Sequence, residues 1–262
     1  MLRVCRITFI EGIRSRMLYS IIALSVILML TGTVFSQFFM QDLGKVITDF
    51  NLGAVSFSGL LISFSLSVGL ISKDLDKRTI YFVLSRGISR RDYIFGKFVG
   101  LALIIAVSYA AIFALTLLPL CVMRSYIPFY FKSFSMPIYT AAVFADLVKC
   151  IFLNAVIIFF ASFVTSSFSV LIFSLLTYIG GQTLTEALSY MQSSGLYAWH
   201  GTILETLKYI VPNFSLLDFK TLAASGISLP IDIYIGSIAY AAVYSTILLL
   251  AAGMIFSWRE FP

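Results

Sequence analysis

The sequence predicts an all-α protein, a polytopic membrane helical bundle of six transmembrane helices in a single transmembrane domain over residues 1–262. Three observations carry this prediction. Hydrophobic residues make up 60% of the chain and charged residues 11%, against about 45–50% and about 25% in a soluble domain. Mean hydropathy is +1.00, and the apolar runs are long and continuous, unlike the alternating segments of about 10 residues that build an outer-membrane barrel. A length of 262 residues accommodates six crossings of about 20 residues each with their connections, but not twelve.

In chain order, residues 1–16 come first, reading MLRVCRITFIEGIRSR. They place Leu2, Cys5, Phe9 and Ile13 on one helical stripe and Arg3, Arg6 and Arg14 on the other side, the pattern of an amphipathic helix lying at the membrane interface. Val4 and Ile7 fall outside that stripe, and a plain basic flank would carry the same charges. Apolar stretches follow at about 17–40, 52–72, 98–123, 141–164, 167–190 and 233–257, each long enough to cross. The first is too long for a signal-peptide core and has no small-residue cleavage site, so it is expected to remain as a span. Between the spans, the most polar connection is about 73–97 and the longest about 191–232.

The net charge of +6 is read as Lys and Arg in loops facing anionic lipid, not as a nucleic-acid surface. Arg3, Arg6, Arg14 and Arg16 precede the first span, and Lys73, Lys77, Arg78, Arg86, Arg90, Arg91 and Lys97 lie between the second and third. The other connections are nearly free of basic residues. The positive-inside rule therefore puts both termini and the 73–97 connection in the cytoplasm of a cell (inner or plasma) membrane. Cys5, Cys121 and Cys150 show no Cys-x-x-Cys spacing, and His200 has no second His or Cys nearby, so neither a disulfide framework nor a metal is expected. Asp146 and Lys149, near the start of the fourth span, read as an ion pair on one helix face, with a proton or ion site as the alternative.

Residues 73–97, KDLDKRTIYFVLSRGISRRDYIFGK, read as two short helices. Ile80, Val83 and Leu84 form an apolar face that Gly87 can end, and Ser89 with Asp92 has the spacing of a capping box that begins the second helix. A cytoplasmic helix with apolar and charged surface, fixed to two spans, suits docking into a groove on a soluble partner and passing its movement into the membrane. The basic residues would equally hold the loop on anionic headgroups.

The stretch Asp74 to Lys97 resembles the cytoplasmic loop of ABC-2 type permeases, in which an acidic pair, Gly-Thr, a Leu-Leu-Ser-like run, Pro-Ile-Ser-Arg and Gly-Lys recur in that order. The matching positions are Asp74 and Asp76, Thr79, Leu84 and Ser85, Ile88, Ser89 and Arg90, and Gly96 with Lys97. Arg78 stands where the family usually has Gly, and Gly87 where it usually has Pro. The layout is similar as well, and LETLKYIVPNFSLLDF resembles the family segment that often dips back into the outer leaflet as short helices.

The resemblance implies a permease subunit of an ATP-binding-cassette transporter, working as an exporter. It would form the translocation path with a second permease copy or a related chain, within membrane lipid, and couple to a separate ATPase subunit that carries ATP and magnesium. Asp74, Asp76, Thr79, Ile80, Val83, Leu84, Arg86, Ser89 and Arg90 would then make the coupling contact. Span two carries a small polar face of Ser56, Gly59, Ser63 and Ser67, and span five one of Ser174, Thr177, Gly181 and Thr185. The resemblance places these at the seam between copies or along the path; packing inside one bundle is the alternative.

The sequence holds no G-x-x-x-x-G-K-[ST], G-x-S-x-G or H-E-x-x-H, so no catalytic residue and no cofactor is assigned to this chain. An ion-driven secondary transporter would show ionisable residues at mid-membrane and repeated halves, and the spans read as nearly free of charge. A membrane anchor subunit of another complex is the remaining alternative. The aromatic stretch SYIPFYFKSFSMPIY suits lipid-like, peptide or drug-like cargo and equally an interfacial anchor.

Overall fold

In lipid each backbone N–H and C=O has to be satisfied within its own segment, so apolar runs of this length fold as helices. The computed structural model describes residues 1–38, 43–76, 89–131, 134–164, 166–193, 211–228 and 230–258, with side chains except at 71–76, 184, 188 and 191–193. Among these residues no strand occurs.

Chain order gives α1 (Leu2–Ile13), α2 (Arg16–Ser36), α3 (Leu43–Asp76), α4 (Arg90–Tyr126), a 3-10 turn at Pro128–Phe131, α5 (Met136–Phe163) and α6 (Ser167–Ser193). A second 3-10 turn at Ser215–Leu217, the short α7 (Lys220–Ala224) and α8 (Ile231–Trp258) follow among the described residues. Six helices, α2 to α6 and α8, are long and apolar enough to cross a membrane. The protein is thus an all-α polytopic bundle.

Two helices outrun their apolar stretches. With 34 and 37 residues, α3 and α4 measure about 50 and 55 Å at about 1.5 Å per residue, against a hydrocarbon core of about 30 Å. Residues 73–76 continue α3 without a break, and the second short helix expected in the 73–97 connection is the first turns of α4. Ser89 starts α4 as the sequence spacing requires. The Asp92 amide donates to Ser89 Oγ at 3.1 Å and Ser89 Oγ donates to Asp92 Oδ2 at 2.8 Å, which satisfies an orphan amide and puts an acid in the first turn.

The face of α1 differs from the expected one. Val4, Thr8 and Gly12 are its buried residues, while Leu2 is 85% exposed. The cause is a close approach to α4. A Cβ on Gly96 would lie 3.0 Å from Val4 Cβ, and one on Gly100 2.8 Å from Thr8 Cβ, so paired glycines four apart cut a groove that the small side of α1 enters.

At the centre stands α5, in contact with α3, α4, α6, α7 and α8. The segment before α7 turns back into the bundle. Phe214 and Leu217 are fully buried, and the Phe214 ring lies 4.8 Å from Phe152 and 5.2 Å from Tyr178. Helix α7 ends in a Schellman arrangement, in which the Gly226 amide donates to Ala223 O and the Ile227 amide to Leu222 O. Gly226 supplies the required positive φ of 68°.

Candidate functional site

Of the buried charges among the described residues, Asp146 and Lys149 meet at one place, while Lys97 is buried near the start of α4. Asp146 and Lys149 lie one helical turn apart at the middle of α5, not near a span end, because α5 begins at Met136, earlier than its apolar run. Both are buried, at 4% and 1% exposure. Lys149 Nζ pairs with Asp146 Oδ1 at 2.5 Å, Ser56 Oγ of α3 donates to the same oxygen at 2.9 Å, and the Tyr109 hydroxyl of α4 donates to Oδ2 at 2.8 Å. An unpaired carboxylate at this depth would cost several kcal/mol. Here each oxygen has a partner from a different helix.

Ser56 is the node of the cluster. Its hydroxyl has one proton and two lone pairs. It donates to Asp146 and accepts from Lys149 Nζ and from Lys220 Nζ, each at 3.3 Å. Lys220 opens α7 and pairs with Asp218 at 3.3 Å, and Gln182 Nε2 of α6 donates to Asp218 Oδ2 at 2.9 Å. Two acids and two bases therefore neutralise one another across α3, α5, α6 and the 213–224 segment. Gly59 makes the room: a Cβ there would sit 1.9 Å from the Tyr109 hydroxyl.

A second polar contact lies further along the same two helices. Ser67 Oγ donates to Asn154 Oδ1 at 2.9 Å, and Asn154 Nδ2 donates to Phe98 O at 3.4 Å. Because both α3–α5 contacts advance in the same sense, from Ser56–Asp146 to Ser67–Asn154, the two helices run parallel, as second and fourth spans of an alternating bundle must. Above the cluster, Asn213 Nδ2 donates to Thr185 Oγ1 at 3.1 Å and the Asn213 amide to the Tyr240 hydroxyl at 3.0 Å.

The expected small polar faces are thus used within the chain. Ser56, Ser63, Ser67 and Ser174 are buried, Ser63 donating to Gly59 O and Ser174 to Val170 O. Gly181 admits the incoming segment, its Cβ position lying 2.0 Å from Pro212 O, and its carbonyl accepts from the Phe214 amide. Thr177 is half-buried and Thr185 exposed. Phe57 lies outside this stripe on α3 and is 51% exposed.

Of the expected coupling residues, Thr79, Ile80, Val83, Leu84 and Arg86 lie outside the described residues, as does His200. Asp74 and Asp76 fall in the last turn of α3. Arg90 has a role that sequence reading missed: its Nη1 donates to Ser257 O at 3.1 Å and Phe256 O at 3.4 Å, satisfying the last carbonyls of α8 with a cation. Among the described residues no group of three or more His, Cys, Asp or Glu side chains is placed to hold a metal.

Compared with known proteins, no curated relative matches the chain. The model of the family described as ABC-2 family transporter protein matches residues 2–250. That match spans α1 to most of α8, including the glycine seam, the buried cluster and the 73–97 connection, and the chain belongs to the ABC-2 transporter family as a membrane-spanning permease.

Proposed function

We propose that the chain is the permease subunit of an ATP-binding-cassette exporter, forming the translocation path with a second copy or a related permease and driven by a separate ATPase subunit that binds ATP and magnesium. The observation that carries this reading is the family match over residues 2–250. The long α3 and α4 support it, because they run unbroken from the bundle core to the ends of the 73–97 connection, so a push on that connection reaches Ser56 through rigid helix. Ile80, Val83 and Leu84 dock in the ATPase, with Asp74, Asp76, Thr79, Arg86 and Ser89 around them. Both termini and this connection face the cytoplasm of the cell membrane. On span five, exposed Thr185 and half-buried Thr177 face the second copy.

In this reading the cluster around Ser56 fastens the 213–224 segment to the spans that move. Its charge-balanced pairing supports a structural tie over an ion path. The test is purification of the chain from its native membrane. The proposal expects an ATP-binding-cassette ATPase to copurify in comparable amount, with ATP turnover by the complex. A chain recovered without an ATPase from membranes that contain one would contradict it.

A further inference from the structure

Between α1 and α3 lies a groove of about 750 Å³, within the range of about 300–1,000 Å³ typical of small-molecule sites. It is not part of the cluster around Ser56. Ile7, Met17 and Leu66 give it apolar walls, and Gly69 forms part of its floor, where an added Cβ would meet nothing within 4 Å. At one end stand Arg14 and Ser15. Arg14 is exposed and has no ion-pair partner among the described residues. Ser15 is the N-cap of α2 without a side-chain cap bond, so the first amides of α2 add donors at the same corner. Glu11 also lines the groove and has a partner of its own.

We propose that this groove binds one anionic phospholipid from the leaflet that α1 faces, with an acyl chain along Ile7, Met17 and Leu66 and the phosphate at Arg14. The lining is mostly apolar and takes in the turn from α1 into the first span, which a helix lying on the membrane surface would bring to the level where lipid headgroups meet acyl chains. The exposed Arg3, Arg6, Arg14 and Arg16 make that corner positive, which complements an anionic headgroup. The proposal rests on the membrane placement of the bundle and not on its pairing with an ATPase.

Native mass spectrometry of the purified chain, taken from vesicles of mixed phosphatidylglycerol and phosphatidylcholine, tests it. The wild-type chain is expected to retain one phosphatidylglycerol. Arg14→Gln should lower the retained fraction about fivefold, the scale of one basic residue at an anionic surface, and Arg14→Lys should restore it. Gly69→Phe leaves the charge unchanged, fills the floor and should also abolish retention. Arg3→Gln, the same charge change outside the lining, should retain the lipid. Equal losses from Arg3→Gln and Arg14→Gln would reduce the effect to a diffuse field and overturn the site. So would retention by Gly69→Phe, equal retention of phosphatidylcholine, absence of bound lipid in the wild type, or a Gly69→Phe effect on oligomeric state alone.

Discussion

Two of the junctions in this bundle work by different physics. Where α1 meets α4, glycine and small residues let two backbones approach, and the fit is one of shape: Gly96 and Gly100 against Val4 and Thr8. Where α3, α4, α5 and α7 meet, the contact is charge and hydrogen bonding around Ser56 and Asp146. Lipid tails are as apolar as the helices, so no hydrophobic drive separates the two cases. A shape junction fails when volume is added. A charge junction fails when one partner is removed and tolerates removal of both, which makes the two separable by substitution.

The largest effect should come from Asp146→Leu, which leaves Lys149 buried without its ion pair. A loss of about 3–5 kcal/mol is expected, read as a large drop in thermal unfolding temperature in detergent, and adding Lys149→Leu should recover most of it. If the double variant is no better than the single one, the cluster is not a charge-balanced tie. Next comes Gly100→Leu, expected to cost about 1–3 kcal/mol through overpacking. The damage should stay local, so that thiol labelling of half-buried Cys5 speeds up while Cys150 stays protected. Ser56→Ala removes the node and leaves the Asp146–Lys149 pair standing, for about 1 kcal/mol. Lys220→Gln should be the mildest, below about 1 kcal/mol, because that pair is partly exposed and water screens it. Unfolding midpoints of the last two variants check this order, and a larger loss for Lys220→Gln would reverse the assignment of Ser56 as the node.

The fold class was legible because composition decides it: a chain this apolar has to put its helices in lipid. The Ser89 cap was legible because its signal is local, a hydroxyl and an acid three residues apart. Long-range geometry was not. Leu2, Cys5, Phe9 and Ile13 make a plausible apolar stripe, yet in lipid small residues seek partners while large apolar ones remain exposed, so Val4, Thr8 and Gly12 turn inward. The spacing of Gly96 and Gly100 was the available clue. Asp146 and Lys149 were readable as a pair, but their depth depended on where α5 starts, and the apolar run began after the helix did. Ser56 as a meeting point for Lys149 and Lys220, and Arg90 as the cap of α8, join residues more than 90 and 160 positions apart. No spacing rule reaches that far.

The central claim is that the 73–97 connection couples this permease to a separate ATPase, and retention of that ATPase by loop variants tests it most directly. Arg90 is left out of the series because it holds the end of α8. The account predicts that Ile80→Asp with Leu84→Asp leaves the chain in the membrane with an unchanged unfolding midpoint but abolishes copurification of the ATPase, since charge would enter a buried contact. Arg86→Gln and Arg91→Gln should each weaken it by about 1 kcal/mol or less. The opposite ranking, with the ATPase retained by the Asp variants and the arginine variants released from anionic membranes, would make the loop a lipid contact and contradict the account.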